Sequence, residues 1–387
     1  MSVCTTIQQQ VYCLAIKICA AATQTGDSTT LEAYLETQLQ DLLSDSDFNN
    51  GDDWTIAWGP AVWQAPFSTF SDQAVAVCYN STQNTYVVPI SATNPNAPYN
   101  VFFEDLAAVP HYMVPVPGGN AGNVTVGNYA GLQALLSLSA GGNTLQDFLS
   151  SVAGASDDLV FCGHSLGGGL TPLLAYTLYP KGTTGSGWGN VYTFPTAGPT
   201  TADAGFASAF DAAFPIVTGS GYQMWNANQY NAHDLVPNAW APGDGSTPGL
   251  AQITSTVISW LGGMYYTGVE MSAEIATLRT IAETFAGGSA NPFVACNNNN
   301  LFTGPREYGQ ITDNATLEKE ILYQHTTAYN VEFGVTALFD DATVQATIQP
   351  PLLPLVRGVS GVASAVAAAT EAAEAQTAEA EPEPSVA

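Results

Sequence analysis

The sequence predicts an α/β fold: a mostly parallel central sheet with helices on both faces. Three observations carry that prediction. From residue 73 onward, short apolar strand-like runs alternate with segments of helical periodicity, the pattern of strand–helix–strand crossovers. The run over 159–162 leads directly into Gly163-His164-Ser165-Leu166-Gly167-Gly168 and then into a helical stretch, so a Gly-x-Ser-x-Gly motif sits on a strand–turn–helix junction. The 387 residues are 46% hydrophobic, enough for a large core, and no uninterrupted apolar run reaches the ~20 residues of a bilayer-spanning helix.

The elements follow in order. Residues 6–22 read as one helix packed on the body rather than as a leader, because Lys17 interrupts the apolar stretch and no basic residue precedes it. A second helix is expected over 31–43, starting near Thr29-Thr30. The aromatic-rich stretch 54–63, broken by Gly59-Pro60, is expected to be core or pocket wall. Residues 73–79 and 85–92 alternate around a turn at 81–84 and form a hairpin entering the sheet. Helices are expected over 126–138, 144–152 (capped by Asn143 or Thr144), 167–179 and 200–213, with strands over 191–194 and 222–226. Two more helices are expected over 250–261 and 272–285, an irregular Asn-rich stretch over 291–307, and a low-complexity Ala/Glu tail from 358 that has little to bury. The organisation is then an N-terminal part, 1–72, packed on a catalytic domain, 73–357, that carries a helical insertion at about 250–307, followed by the tail, 358–387.

Composition narrows the function. The formal charge is −27, yet the anomaly is a shortage of base, with only six Lys and Arg, and charged residues make up 10% where about a quarter is usual. This excludes nucleic acid and electrostatic docking to anionic membranes, and it suits an acidic or extracellular environment. The compartment stays open between cytoplasmic and secreted. The six cysteines, Cys4, Cys13, Cys19, Cys78, Cys162 and Cys296, match neither a zinc pattern nor a small disulfide framework and read as buried apolar residues. No metal or cofactor is implied.

The Gly-x-Ser-x-Gly junction is the nucleophile elbow of the α/β-hydrolase fold, where Gly163 and Gly167 make room for a strained turn that exposes Ser165. A serine needs a base, and the base needs an orienting acid. Of four histidines, His164 adjoins Ser165 and should point away from the reacting face, His233 adjoins an acid candidate, and His111 precedes the elbow, whereas the acid and then the histidine follow it in this fold. His325 remains. For the acid, Asp234 follows a strand and precedes Leu235-Val236-Pro237. Asp203, Asp211 and Asp244 are the alternatives, two on a predicted helix and one in a Gly-rich loop. The oxyanion requires two N–H donors: Leu166, directly after the nucleophile, and Thr93, after the 85–92 strand.

With these residues placed, the chain resembles the class 3 (fungal-type) lipases. Gly163-His164-Ser165-Leu166-Gly167-Gly168 is similar to that family's elbow, Val191-Tyr192-Thr193-Phe194 through Pro199 to its Phe-Gly-x-Pro strand, Asp234-Leu235-Val236-Pro237 to its Asp-x-Val-Pro, and His325 to its late histidine. The resemblance runs from about 73 to 329 and implies triad roles for Ser165, Asp234 and His325 and an acylglycerol or other carboxylic ester as substrate, met at a lipid–water interface; a short-chain esterase, an acyltransferase with the same triad and a non-catalytic binding protein of the same fold are the alternatives. It also implies a lid over 96–109 presenting Phe102, Phe103 and Leu106. Three stretches depart from the family: Ile90-Ser91-Ala92-Thr93 stands where it has Phe-Arg-Gly-Thr, Val126-Gly127-Asn128-Tyr129 where it has His-x-Gly-Phe, and the segment from Leu250 to Glu307 is longer than usual.

Overall fold

The computed structural model describes residues 2–94, 96, 113–117, 121–238, 241, 292–296, 298–308 and 314–339. The expected lid residues Phe102, Phe103 and Leu106, together with His111, Asp244, the helices over 250–261 and 272–285 and the tail from 358, lie outside the described residues.

Helix α1 (Ile7–Lys17) opens on a capping box: the Thr6 hydroxyl accepts from the Gln9 N–H, and the Gln9 side chain accepts from the Thr6 N–H. The single helix expected over 6–22 stops at Lys17 and tightens into a 3-10 helix, Ile18–Thr23, that turns Ile18 to Ala22 inward. Helix α2 (Ser28–Ser44) starts earlier than expected because Asp27, not Thr29 or Thr30, is its N-cap; Leu31, Leu35, Leu39 and Leu42 bury one stripe. The short α3 (Ser46–Asn49) follows.

The aromatic stretch is β1 (Trp54–Trp63), a full strand antiparallel to β2 (Gln73–Asn80). Its register shifts twice, between Ile56 and Trp58 and between Trp58 and Ala61, around the Gly59-Pro60 break. These shifts erase the period-2 alternation by which a strand is read from sequence. The predicted hairpin forms between β2 and β3 (Thr85–Ile90), ending two residues before 92. Two minor two-stranded sheets come next, β4 (Met113–Pro115) with β5 (Asn123–Thr125), and β6 (Ser139–Ala140) with β7 (Asn143–Thr144). Helix α4 (Val126–Ser137) follows β5, and α5 (Leu145–Val152) follows β7, capped by Thr144.

Then come β8 (Asp158–His164), α6 (Leu166–Leu178), β9 (Asn190–Thr196) and α7 (Ala204–Ala213). Helix α7 is shorter than the 200–213 expected: Asp203 sits before it as N-cap, accepting from the Gly205 and Phe206 N–H groups, rather than inside its first turn. The strand expected over 222–226 lies later, as β10 (Asn228–Asn231). The stretch expected to be irregular holds β11 (Asn299–Phe302), paired with β10 from Asn228↔Asn299 to Asn231↔Phe302. Both strands are Asn-rich and score poorly for β structure; polar side-chain bonds such as Asn300 Nδ2 to Gln229 Oε1 accompany their pairing. Helices α8 (Asn314–His325) and α9 (Thr327–Glu332) follow, and a 3-10 helix, Thr336–Leu338, comes last in the described chain.

The main sheet has the order β1-β2-β3-β8-β9-β10-β11, with β3 through β11 parallel. Its two faces are sorted by strand alternation. Ala74, Ala76, Cys78, Val87, Val160, Cys162 and Phe194 face α1, α2 and the C-terminal residues Tyr329 and Phe333. Val75, Val77, Val88, Ile90, Leu159, Phe161 and Val191 face α4, α6 and α7. The parallel strands β3, β8 and β10 all end at one edge of the sheet, and their following residues carry Thr93, Ser165 and Asp234.

Candidate active site

Ser165 occupies the turn between β8 and α6 with φ 58° and ψ −125°, a left-handed backbone that a non-glycine residue adopts under strain. Its N–H donates to the Thr196 carbonyl at 3.0 Å, and its own carbonyl accepts from Gly169 N–H at 3.0 Å. A Cβ on Gly163 would run into the backbone of Gly167, and one on Gly167 into the carbonyls of Ile90 and Ser91 at the end of β3. The elbow therefore closes only with glycine at both positions. That same close approach brings the first turn of α6 against the residues leading to Thr93.

The three expected site residues meet. Ser165 Oγ lies 2.8 Å from His325 Nε2, and His325 Nδ1 lies 2.8 Å from Asp234 Oδ2 and 3.0 Å from Oδ1. A carboxylate only accepts, so Nδ1 carries the proton and Nε2 is free to accept from the Ser165 hydroxyl. Asp234 and His325 are each 1% exposed, which keeps this chain of bonds out of water. Of the other acid candidates, Asp203 is engaged elsewhere: it caps α7 and bonds Asn123. His233 turns its Nδ1 to the Gly304 carbonyl, and burial holds its pKa below the usual histidine value.

The carboxylate has further donors that sequence reasoning missed. Val236 N–H donates to Asp234 Oδ1 at 3.0 Å, and the buried Tyr329 hydroxyl donates to Oδ2 at 2.8 Å while accepting from Asn231 N–H at 3.0 Å. Burial, reinforced by the Asp234 charge, raises the Tyr329 pKa well above its ordinary value, so it stays a donor. Asn231, at the end of β10, donates from Nδ2 to the Gln324 carbonyl and Oε1, and accepts at Oδ1 from Gly304 and His233 N–H. One amide thus joins the strand before Asp234 to the helix that ends in His325.

His164 points away from the reacting face, as expected, but it does not stand idle. Sharing the face of Val160 and Cys162, it places Nε2 2.8 Å from the backbone carbonyl of His325 and Nδ1 2.9 Å from Thr196 Oγ1. A carbonyl only accepts, so Nε2 bears the proton; the Thr196 hydroxyl then donates to Nδ1. Burial, with His325 nearby, pushes the His164 pKa well below the usual value and keeps the ring neutral. The elbow motif includes this residue, but nothing local in it signals a partner 161 positions away.

The Thr93 loop is tied to the N-terminal segment. Ala92 N–H donates to Cys19 Sγ at 3.2 Å, and the thiol itself donates to the Ala15 carbonyl at 3.5 Å. Asn94 Nδ2 donates to the Ser71 carbonyl at 2.9 Å and Asn96 Nδ2 to the Ala22 carbonyl at 3.2 Å. Helix α1 reaches the rest of the site too: Val11 carbonyl accepts from the Cys162 thiol, Tyr12 hydroxyl donates to Asn330 Oδ1 at 2.8 Å, and Gln9 Nε2 donates to Phe333 carbonyl at 2.7 Å. The described cysteines are all free thiols, five of them buried. Among the described residues, no group of three or more His, Cys, Asp and Glu is arranged to hold a metal ion, and no helix is long and apolar enough to cross a membrane.

Residues 100–242 match the family model described as lipase (class 3), a span that includes the elbow and Asp234 and stops short of His325. No curated protein matches by sequence. Among solved structures, M37 lipase superposes with a TM-score of 0.65 at 19% identity, covering 92% of this chain and 99% of that one, which shows a shared fold along nearly the whole length. A Rhizomucor miehei lipase in complex with its propeptide (TM-score 0.39, 16% identity, 60% of this chain and 63% of that one) and lipase II from Rhizopus niveus (0.39, 15%, 61% and 76%) are also similar. The chain has the α/β-hydrolase fold, and its residues 100–242, which include the elbow and Asp234, are similar to the class 3 lipase family of carboxylic ester hydrolases.

Proposed function

We propose that the protein hydrolyses acylglycerols through a Ser165–His325–Asp234 triad. The observation that carries this reading is the unbroken pair of 2.8 Å bonds from Ser165 Oγ to His325 Nε2 and from His325 Nδ1 to Asp234 Oδ2. Ser165 Oγ attacks the acyl carbon as His325 Nε2 takes its proton; the carbonyl π electrons move onto oxygen. The tetrahedral oxyanion accepts from the N–H groups of Leu166 and Thr93. Leu166 is the first residue of α6, where backbone N–H groups have no acceptor within the helix. Collapse of the intermediate breaks the bond to the glycerol oxygen, which leaves with the proton from His325. Water, deprotonated by the same Nε2, attacks the acyl-enzyme and releases the fatty acid, restoring the Ser165 hydroxyl. Asp234 fixes the Nδ1–H tautomer and stabilises the imidazolium, itself held by Tyr329 and Val236.

The test is hydrolysis of p-nitrophenyl esters from butyrate to palmitate by wild type and Ser165→Ala. Wild-type turnover that rises with acyl length, and its loss by several orders of magnitude in the variant, is the expected result. Undiminished turnover in Ser165→Ala rejects the nucleophile, and activity confined to butyrate makes the substrate a short soluble ester.

A further inference from the structure

Six non-glycine residues among those described have positive φ: Asn50, Phe67, Asn84, Ser165, Ala197 and Asn226. Three are asparagines, which tolerate this region. Ser165 is the elbow nucleophile, and Ala197 is small and buried. Phe67 is neither small nor buried: at φ 68° it is 104% exposed. A fully exposed ring contributes no packing to the fold, and asparagine or glycine would fit the backbone with less strain. The chain nevertheless holds a phenylalanine there, and holds it firmly. Gln64 Nε2 donates to the carbonyls of Gly26, Ser68 and Phe70. Ala65 N–H donates to Asp72 Oδ2 at 2.8 Å, and Ser68 N–H donates to Ala65 carbonyl at 2.9 Å across the turn.

The position of this turn matters. It joins β1 to β2, with Trp63 opposite Gln73, and β2 meets β3 with Val75 opposite Ile90, so it projects from the edge of the sheet where Ser165 lies. The Asn94 amide bonds the Ser71 carbonyl, and Ala74 N–H donates to Ser91 Oγ, so the turn and the Thr93 loop stand side by side. Strand spacing puts it about 10–15 Å across the sheet from β8. Residues 63–71 carry no charge in a chain of formal charge −27. Pro66 is exposed beside Phe67, and Trp63 and Phe70 are half-buried at the base.

From these observations we infer that the 64–72 turn is a docking surface for an uncharged lipid–water interface, with Phe67 as the residue that enters it. The inference rests on the acylglycerol reading for the nature of the surface. An uncharged aromatic tip suits a neutral ester phase, whereas the net negative charge and the few basic residues oppose an anionic one. Docking there turns the edge of the sheet that bears Ser165 toward the substrate phase.

The experiment uses the full chain as wild type, Phe67→Asn and Phe67→Trp. Partitioning onto trioctanoin emulsion droplets is measured by depletion from the aqueous phase, and turnover is measured on dissolved p-nitrophenyl butyrate. We expect Phe67→Asn to keep its Tm and its turnover on the dissolved ester while partitioning falls about tenfold, equivalent to about 1.4 kcal/mol; Phe67→Trp retains partitioning. Equal partitioning of wild type and Phe67→Asn overturns the inference, as does no wild-type partitioning at all. A wild-type dimer in sedimentation velocity that Phe67→Asn abolishes also overturns it, in favour of self-association. Inactivity of wild type on every ester, with partitioning intact, counts against the proposed function and not against the docking surface.

Discussion

The two faces of the sheet are built from different chemistry. The face toward α4, α6 and α7 is filled by Val75, Val77, Val88, Leu132, Leu135, Phe161, Leu170 and Leu173, a core of aliphatic and aromatic side chains. The opposite face is also buried, but hydrogen-bonding groups run through it: His164, Tyr12, Gln9, Asn330, Tyr329 and the thiols of Cys19 and Cys162. Apolar burial is non-directional and tolerates rearrangement. A buried hydrogen bond has an angle and one partner, and losing it strands the other. The first face therefore supplies stability, and the second also fixes where His325, Asp234 and the Thr93 loop sit.

The largest expected effect falls at the end of the polar face. Asp234→Asn should leave the fold intact and reduce kcat by about 10⁴, because the imidazolium loses its partner and the tautomer is no longer fixed. Steady-state kinetics beside a circular dichroism melt decide this, and near-wild-type turnover removes Asp234 from the triad.

A paired substitution tests the comparison itself. Leu170→Ala on the apolar face and His164→Leu on the polar face should both destabilise, the first by about 2–5 kcal/mol through a cavity and the second by about 1–3 kcal/mol through the unpaired His325 carbonyl. Turnover per folded molecule should separate them: within about twofold for Leu170→Ala, and down about tenfold or more for His164→Leu, since small displacements of a reacting group are costly. If both variants keep wild-type kcat after correction for folded fraction, the polar face does not position His325.

A smaller effect is expected at Cys19. Removing the thiol in Cys19→Ala leaves the buried Ala92 N–H without its acceptor, and we expect kcat to fall roughly fivefold with KM unchanged, about 1 kcal/mol of lost positioning. A boronic acid that forms a tetrahedral adduct on Ser165 should weaken by the same factor. A fall in Tm with no change in kcat or in boronate affinity assigns Cys19 to packing alone. Burial pushes its pKa up to about 12, so the thiol stays protonated across the working range.

The smallest effect is in pH. The His164 pKa is depressed in the folded state and close to about 6.5 in the unfolded chain. Between those values the unfolded chain binds the extra proton, so stability rises with pH through that window. The contribution is complete above about pH 6.5 and is lost as pH falls toward the depressed folded value. His233, depressed in the same direction, adds to the slope. Denaturant melts between pH 5 and 8 should show His164→Gln with a shallower acid limb than wild type; parallel limbs would falsify this linkage.

Much of this architecture is legible in the sequence because local rules dictate it. Gly163-x-Ser165-x-Gly167 on a strand–helix junction admits few conformations, and the alternation in β2, β3 and β8 sorts side chains by face without further information. The candidate acid and base emerge from chemistry and chain order: four histidines leave little choice, and Asp234 follows a strand into a proline-stopped loop. Where a local rule was overridden, the sequence misled. Register shifts hid β1, polar strands β10 and β11 formed despite poor β propensity, and Asp203 began a helix expected to contain it. The sequence by itself determined the elbow, its strand and helix, and the residue types the site requires. Only the tertiary structure decided that His164 bonds the His325 carbonyl, that Tyr329 braces Asp234, that Cys19 holds Ala92 and that Phe67 stands exposed beside the Thr93 loop. The physical reason is separation along the chain: these partners lie tens to hundreds of residues apart, and a hydrogen bond leaves no periodicity in sequence to mark it.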